Sequence, residues 1–391
     1  MYIYSILLFI LFFGVFHFDY RKKRFLKGGY YFFVFLFCTL MTGLRYRVGG
    51  DALSYEDYFS SYPDLDSYFY FLSHDNKYFG YQPLYVLFVA ACKSIDPDYY
   101  FYQLMHSIVF NIVFFWFIKK YSARPFTTIL ILYVFLVYFY FGYEIQREMF
   151  AICCFLISYK YFMENKWIPY YILAIIAFSF HISASVLFIL PLFKLIQFSK
   201  RNLIILILVS VPILFSKLIF TDFIKLLLVT ESMQNKGEKY SEVELSITGI
   251  LFFYFVRFIV FIPFLYFYAK NRLRDNKYNW MFFALTIISI LSQVIVGFER
   301  FSNYLYLPFV IYVVDMLFDN STEFKLRNGV QKAFVTISLY TFLFSIILVK
   351  FFVGNIDNKY FYYSVYFPYG DVTEKTKNPQ RERFIFEMWQ K

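Results

Sequence analysis

The sequence predicts an all-α polytopic integral membrane protein, and three observations carry this prediction. The 391-residue chain is 60% hydrophobic and 26% aromatic, which is too apolar for a water-soluble protein to cover its surface. Its apolar residues fall into about thirteen stretches, most of them long enough to cross a bilayer as helices. Short loops rich in Lys and Arg separate many of these stretches, as is typical of cytoplasmic loops.

The first two segments set the predicted orientation. Tyr2–Phe18 has neither the basic start nor the cleavage site of a signal peptide, so we expect a retained first crossing. Five basic residues between positions 21 and 27 follow it and mark the cytoplasmic side. Gly28–Leu44 then crosses outward and leads into a Tyr-rich extracytoplasmic loop at about 45–79.

The later segments alternate across the membrane and predict about twelve crossings in one domain, residues 1–353. A second outer loop is expected at about 221–246, and residues 354–391 form an extracytoplasmic C-terminal tail. The later crossings are Tyr99–Ile118, Phe126–Tyr143, Glu144–Met163, Trp167–Phe180, His181–Phe198, Asn202–Phe220, Ile247–Ala269, Tyr278–Gly297, Phe301–Phe318 and Ala333–Val353.

One apolar run, Gly80–Ile95, does not fit the alternation, because counting it as a crossing inverts every later segment. The run is short, contains Pro83 and Lys93, and ends at the turn signal Asp96-Pro97-Asp98. We therefore expect a re-entrant or interfacial element, and the alternative is a further crossing hidden in the Tyr-rich loop. Re-entrant backbone must be buried in protein or line a wet cavity, which would place it beside the functional site.

Charge and cysteine usage exclude several classes of function. The formal net charge of +11 is explained largely by the short inner loops, so no nucleic-acid partner is predicted. All four cysteines lie in apolar segments, and neither they nor the four histidines show the spacing of metal ligands. No soluble cofactor motif occurs, so we predict neither a metal ion nor a cofactor.

Cationic side chains gather at the predicted outer face, where the orientation rule does not explain them. Each lies at the end of an apolar segment, and bound anionic groups such as lipid-linked phosphates would account for them. They are Arg45, Arg47, Arg147 and Arg300, joined by the titratable His181.

The first group runs from Arg45 through Arg47 and two glycines to Asp51, with Tyr55 one turn further on. Arginine binds phosphate through its planar, paired donors, whereas Asp and Tyr are suited to sugar hydroxyls. Gly49 and its neighbour permit a sharp turn or a close backbone approach. The alternative interpretation is an interfacial cap with a local ion pair.

Two further groups of candidate residues lie at the start of a later apolar segment and at the junction between two such segments. Glu144 and Arg147 are three residues apart and can pair on one helix face, but Arg147 at a helix start opposes the helix dipole unless an anion is bound. His181 precedes Ser183 at a helix junction and is a candidate base or hydrogen-bond donor. A structural Glu–Arg pair and an ordinary packing histidine are the alternatives.

The last candidates are in the C-terminal half. Arg300, Asn303 and Tyr304 share one helix face, and Glu299 can pair with Arg300. Arg257 lies deep within an apolar segment, where an ionisable group usually faces the bundle interior, a partner or a cavity. It is a candidate ligand for a lipid phosphate, and pairing with a carboxylate is the alternative.

These same positions resemble the EpsG family of exopolysaccharide polymerases, relatives of the Wzy-type O-antigen and capsule polymerases. The resemblance extends over most of the chain and rests on the order and spacing of its motifs. One position departs from it, since Glu148 stands where the resemblance implies Gln. The matching residues are Arg45, Gly50-Asp51, Tyr55, Gly80-Tyr81, Arg147, Ala151 and Phe180-His181-x-Ser183-Ala184.

The resemblance implies a glycosyltransferase of the bacterial cytoplasmic membrane that joins oligosaccharide repeat units carried on undecaprenyl pyrophosphate. A flippase and a chain-length regulator of the same pathway are candidate partners, besides membrane lipid. Because arginines can stabilise a pyrophosphate leaving group, the transfer needs no metal. Our hypothesis is that Arg147 and Arg300 hold the donor pyrophosphate and Arg45 or Arg47 the second substrate. Asp51 or His181 is then the base.

Three other functions fit a membrane protein of this composition. A transporter or flippase for the same lipid-linked substrate is the main alternative, although no internal repeat is visible. A membrane-bound O-acyltransferase would use His181 as its base and would need access to a cytoplasmic donor. A non-catalytic organiser of polysaccharide export would tolerate loss of the outer arginines.

Overall fold

A computed structural model describes residues 2–74, 82–195, 279–292, 298–318 and 362–390, with a few positions between 201 and 209. These residues form helices, turns and loops, and their only strand-like contact is an isolated antiparallel bridge between Arg45 and Asp371. The expected all-α class is thus confirmed for this part of the chain. Its helices are α1 (Tyr2–Gly14), α2 (Lys27–Gly43), α3 (Ala52–Ser61), α4 (Tyr68–His74), α5 (Pro83–Ile95), α6 (Tyr99–Tyr121), α7 (Pro125–Val134), α8 (Val137–Phe139), α9 (Gln146–Met163), α10 (Trp167–Phe180), α11 (Val186–Ile189), α12 (Asn279–Leu291), α13 (Glu299–Phe318) and α14 (Pro379–Gln390).

Two of the described helices are long and apolar enough to cross a membrane. One is α1 with its π-helical extension Val15–Tyr20, 19 residues in all, and the other is the 23-residue α6. At 1.5 Å per residue they reach roughly 28 and 35 Å, comparable to the hydrocarbon thickness of about 30 Å. Large apolar side chains such as Phe9 and Ile168 lie exposed on helix faces, as lipid contact requires. The protein is therefore a membrane protein.

The predicted crossing Phe126–Tyr143 is not one continuous helix, because the structure breaks this stretch into two arms. Helix α7 is bent by 82° from the second arm, which comprises α8 and the π-helical turn Tyr140–Glu144. Leu136 at the break adopts a left-handed conformation (φ 59°), which interrupts the helical hydrogen bonding. Its side chain is buried, so the irregular backbone is enclosed by protein as a bilayer demands.

Helix α5 is the ordered part of the run expected to re-enter the membrane. Its 13 residues span only about 20 Å, less than a crossing needs. Pro83 starts it, as is common at a first helical position, and it packs against α4, α6 and α10. The length agrees with re-entry, which stays a prediction. Most of the expected crossing Asn202–Phe220, the expected crossings Ile247–Ala269 and Ala333–Val353, and the loop at 221–246 lie outside the described residues.

The bundle that positions the site is built around α9. This helix pairs with α10 as a hairpin and also packs against α6 and α13, while α13 contacts α7. Loop 45–51, between α2 and α3, lies against the second arm of the broken span, where Gly49 (φ +118°) faces Tyr143. A Cβ atom added to Gly49 would lie 3.0 Å from the Cβ of Tyr143, so the expected close backbone approach is confirmed.

Candidate functional site

Asp51 lies at the centre of the candidate site, at the position that precedes α3. Three charged groups from three other parts of the chain act on its carboxyl group: Glu144, Arg147 and Arg300. Burial and the Glu144 carboxylate raise the pKa of Asp51 to about 7, against the opposing effect of the two arginines. The structure thus brings together four residues that the sequence marked separately, and it holds one carboxyl near the protonation midpoint at neutral pH.

Tyr55 lies one turn along α3 and belongs to the same cluster. Its ring is buried, and the guanidinium carbon of Arg147 lies 5.9 Å from the ring centroid. Burial raises the pKa of Tyr55 to about 12 although Arg147 and Arg300 favour its ionised form. The phenol is therefore protonated at neutral pH and is available as a hydrogen-bond donor or acceptor beside Arg147.

Arg45 contacts the backbone around loop 45–51. Its side chain is fully buried, and its guanidinium donates to the backbone carbonyls of Thr42, Val48 (3.1 Å) and Tyr143 (3.4 Å). It also lies 4.7 Å from the centroid of the Tyr143 ring. This placement favours a structural role for Arg45, fixing loop 45–51 against the broken span, over the predicted contact with a second substrate.

Arg47 likewise makes protein contacts. Its guanidinium pairs with Glu56 of α3 at 2.8 Å and with Glu382 of α14 at 3.1 Å. Arg47 therefore ties the C-terminal helix to the loop, and a role in holding the second substrate would require these two pairs to open. The phosphate-binding role stays a prediction for Arg147 and Arg300, the two arginines that act on Asp51.

His181 belongs to a buried polar chain at the junction after α10. Its Nδ1 accepts from the Ser183 backbone N–H at 3.2 Å and lies 2.7 Å from the Ser183 hydroxyl, which is 2.9 Å from the Tyr304 hydroxyl. An Nδ1 that accepts from an N–H carries no proton, so the neutral ring has its proton on Nε2. This arrangement makes His181 a hydrogen-bond donor through Nε2 and disfavours it as the base.

Glu148 is a site residue that the sequence reasoning did not select. The carboxyl is buried, accepts from Asn303 Nδ2 at 2.9 Å, and is in the electrostatic range of Arg300. Its other oxygen has no hydrogen-bond partner among the described residues. The only signal in the sequence was the departure from Gln next to Arg147, and this carboxylate now explains how Asn303 and Arg300 are held at the start of α13.

Glu144 is bound by the segment that the sequence predicts to be an extracytoplasmic C-terminal tail. The hydroxyl of Tyr366 donates to Glu144 Oε1, and both side chains are buried. No sequence pattern points from position 366 to position 144, since the two residues are 222 positions apart. The candidate site is therefore completed by the C-terminal segment.

The remaining predictions concern Glu299, Arg257, metal ligands and the cysteines. Glu299 is exposed in the first turn of α13, where an acidic side chain favours the helix dipole. Arg257 lies outside the described residues. Within the described ranges, no three His, Cys, Asp or Glu side chains group as metal ligands would, and metal independence stays a prediction. The four cysteines are buried and unbonded.

Comparison with known proteins gives one finding. The model of the EpsG family matches residues 29–369, which includes every described residue of the site from Asp51 to Tyr366. Neither the curated proteins nor the solved structures give a match.

Proposed function

Because the chain belongs to the EpsG family, a Wzy-type polymerase-like family, we propose that it is a polysaccharide polymerase of a bacterial cytoplasmic membrane. Its substrates are oligosaccharide repeat units linked to undecaprenyl pyrophosphate, and it joins them at the outer face into an exopolysaccharide or capsule. About twelve crossings carry the site, with a flippase and a chain-length regulator as pathway partners. The convergence of Arg147 and Arg300 on Asp51 is the observation that carries this proposal.

Each site residue has a role in the transfer. An acceptor hydroxyl oxygen of one repeat unit attacks the anomeric carbon of the donor glycan, forming a new glycosidic bond. The bond from that carbon to the pyrophosphate oxygen breaks, and the carrier leaves as undecaprenyl pyrophosphate. Arg147 and Arg300 stabilise the charge that develops on the leaving group, so the step requires no metal. The protonated Tyr55 supplies a further hydrogen bond beside Arg147.

Asp51 is the base in this proposal. It must take the proton of the acceptor hydroxyl, and a carboxyl with a pKa of about 7 is matched to that task at neutral pH. His181 donates through Nε2 because Nδ1 is already an acceptor from the Ser183 backbone. The two candidates left open by the sequence are thereby given different roles.

Deletion of the gene followed by glycan analysis tests the proposed function. We expect the deletion strain to retain single lipid-linked repeat units and to lose the polymer, and the full-length protein to restore chain length. A strain that still makes polymer of normal length without this protein would contradict the proposal.

Reconstitution separates a polymerase from the alternatives. Purified protein in liposomes is given lipid-linked repeat units, extracted from the deletion strain, on the face of loop 45–51. A polymerase lengthens these glycans without any transfer across the bilayer. A flippase moves them unchanged, and an O-acyltransferase adds an acyl group only when an acyl donor is present.

A further inference from the structure

The C-terminal segment 362–390 is built into the loop that carries Asp51. It forms the antiparallel bridge to Arg45, and the backbone N–H of Tyr46 donates to the Gly370 carbonyl at 2.8 Å. The N–H of Gly49 donates to the Val365 carbonyl at 3.2 Å. These backbone bonds on both sides of Tyr366 fix its position relative to loop 45–51.

Tyr366 itself is held from three directions. Its side chain is fully buried, its carbonyl accepts from the Tyr4 hydroxyl at 2.9 Å, and its ring stacks on Phe139 with centroids 5.8 Å apart. The hydroxyl is thereby aimed at the Glu144 carboxylate, to which it donates. A buried ring with this much packing has little rotamer freedom, so the hydrogen bond is imposed by the fold.

Glu144 in turn acts electrostatically on Asp51. The groups that act on Asp51 are Glu144 from the broken span, Arg147 from α9, Arg300 from α13 and Tyr55 from α3. Of the two carboxyls, Glu144 receives the tyrosine hydroxyl, which fixes the position of that carboxyl group. Together with burial, Glu144 raises the pKa of Asp51, and a higher pKa makes ionised Asp51 a stronger proton acceptor.

We infer that Tyr366 is a positioning residue of the polymerase site, which holds Glu144 in place beside Asp51 so that the C-terminal segment sets the proton-accepting behaviour of the base. This inference rests on the proposed function and extends it, since it makes the tail a working part of the site. Arg47 and Arg381 support the same arrangement, because their contacts hold segment 362–390 against loop 45–51.

The test measures the initial rate of glycan lengthening by full-length protein in liposomes, with the extracted repeat units, from about pH 5.5 to about pH 8.5. Tyr366→Phe keeps the ring and removes the hydroxyl. Glu144 is then no longer held beside Asp51, so less negative charge opposes ionisation of the Asp51 carboxyl. The rising limb of the pH–rate profile therefore moves to lower pH by about half a unit to one unit. The maximal rate also falls, because a weaker base accepts the proton less readily. Tyr363→Phe, three residues earlier and partly exposed, is the matched control and keeps the wild-type profile.

A double-mutant comparison separates positioning from general damage. We expect Glu144→Gln to move the rising limb of the pH–rate profile to lower pH, as Tyr366→Phe does. The double variant should move it no further than Glu144→Gln alone, because the tyrosine hydroxyl acts through that carboxylate. If Tyr366→Phe fails to accumulate in the membrane, Glu144→Gln carries the test, and an unshifted limb in that variant overturns the inference because the tyrosine hydroxyl acts through this carboxylate.

The outcomes distinguish this inference from the proposed function. If wild-type protein joins no repeat units, the proposed function fails and the inference fails with it. If wild-type protein lengthens glycans but Tyr366→Phe retains the wild-type limb, only the positioning role is overturned. Additive shifts in the double variant would also overturn it, since the two residues would then act independently.

Discussion

At the scale of single residues, the site depends on where each arginine directs its donors. Arg45 and Arg47 are the first cations of the predicted outer face along the chain, yet their guanidinium groups contact backbone carbonyls and glutamates of the protein. Arg147 instead lies beside Tyr55 and Asp51, and Arg300 acts on the same two residues. The four arginines thus differ in their neighbours: Arg45 and Arg47 are engaged by other parts of the protein, and Arg147 and Arg300 act on Asp51.

Arg147→Lys tests the proposed pyrophosphate contact. Lysine keeps the charge but loses the planar fork, so we expect polymer formation to fall on the order of 100-fold while the protein stays in the membrane. Arg147→Ala should stop polymer formation, with single repeat units persisting. Lys166→Ala, which removes an exposed cation paired with Glu164 at 2.8 Å, is the control. Normal polymer length in Arg147→Ala would remove this residue from the mechanism.

Asp51→Asn tests the base. The amide cannot accept the proton, so glycan lengthening should drop to background at every pH. In the wild-type protein the rate should rise as pH increases through about 7, because the pKa of Asp51 is raised to about 7 and only the ionised form is a base. Asp57→Asn, an exposed carboxyl of the same helix, is the control. Retained pH-dependent activity in Asp51→Asn would assign the proton to another group.

At the scale of elements, interruptions of regular helix place the site. Only Ile145 separates the π-helical turn Tyr140–Glu144 from α9, and such turns occur frequently at functional sites. The bend of 82° lets one apolar stretch serve as two short arms, so that Glu144 ends within the bundle near Asp51. A straight crossing, as the hydropathy alone predicts, would not make this turn.

Helix α5 supplies the prediction that belongs to this scale. Pro97, between α5 and α6, is exposed, and Pro97→Cys leaves intact the Asp98 carboxylate that accepts from the Tyr100 N–H at 2.9 Å and caps α6. If α5 is re-entrant, an impermeant thiol reagent applied outside intact cells labels the new cysteine. The native cysteines are buried and give little background. Labelling only after permeabilisation would show that this run crosses the membrane.

At the scale of the whole molecule, the two ends of the chain meet at the site. Tyr4 of α1 donates to the carbonyl of Tyr366, and Tyr369 donates to the carbonyl of Met41 at 2.9 Å. The C-terminal segment therefore packs against both the first helix and the end of the second. Because these contacts join residues more than 300 positions apart, the site is complete only when the C-terminal segment has docked on the first two helices.

Arg381 tests this long-range closure. Its buried guanidinium donates to the carbonyls of Ser364 and Arg47, each at 3.2 Å, and of Pro368. Arg381→Met leaves buried acceptors without donors, so we expect a loss of about 2–4 kcal/mol in the docking of the C-terminal segment. Hydrogen exchange of residues 362–390 should rise while α9 and α10 stay protected. Arg383→Met, which removes an exposed partner of Glu387, is the control, and equal exchange in both variants would contradict the assigned role.

The sequence by itself determined the class of this protein and its candidate residues. Apolar stretches, basic loops and the order of the motifs were enough to predict an all-α membrane protein of the family that the comparison confirms. Local patterns also marked Asp51, Arg147 and Arg300, because charge at the end of an apolar segment is visible without a structure. Only the tertiary structure showed which arginines pair with other protein groups, that His181 Nδ1 accepts from Ser183, and that Glu148 and Tyr366 contact candidate residues. Those properties depend on contacts between residues far apart in the chain, and hydropathy and spacing carry no information about such contacts.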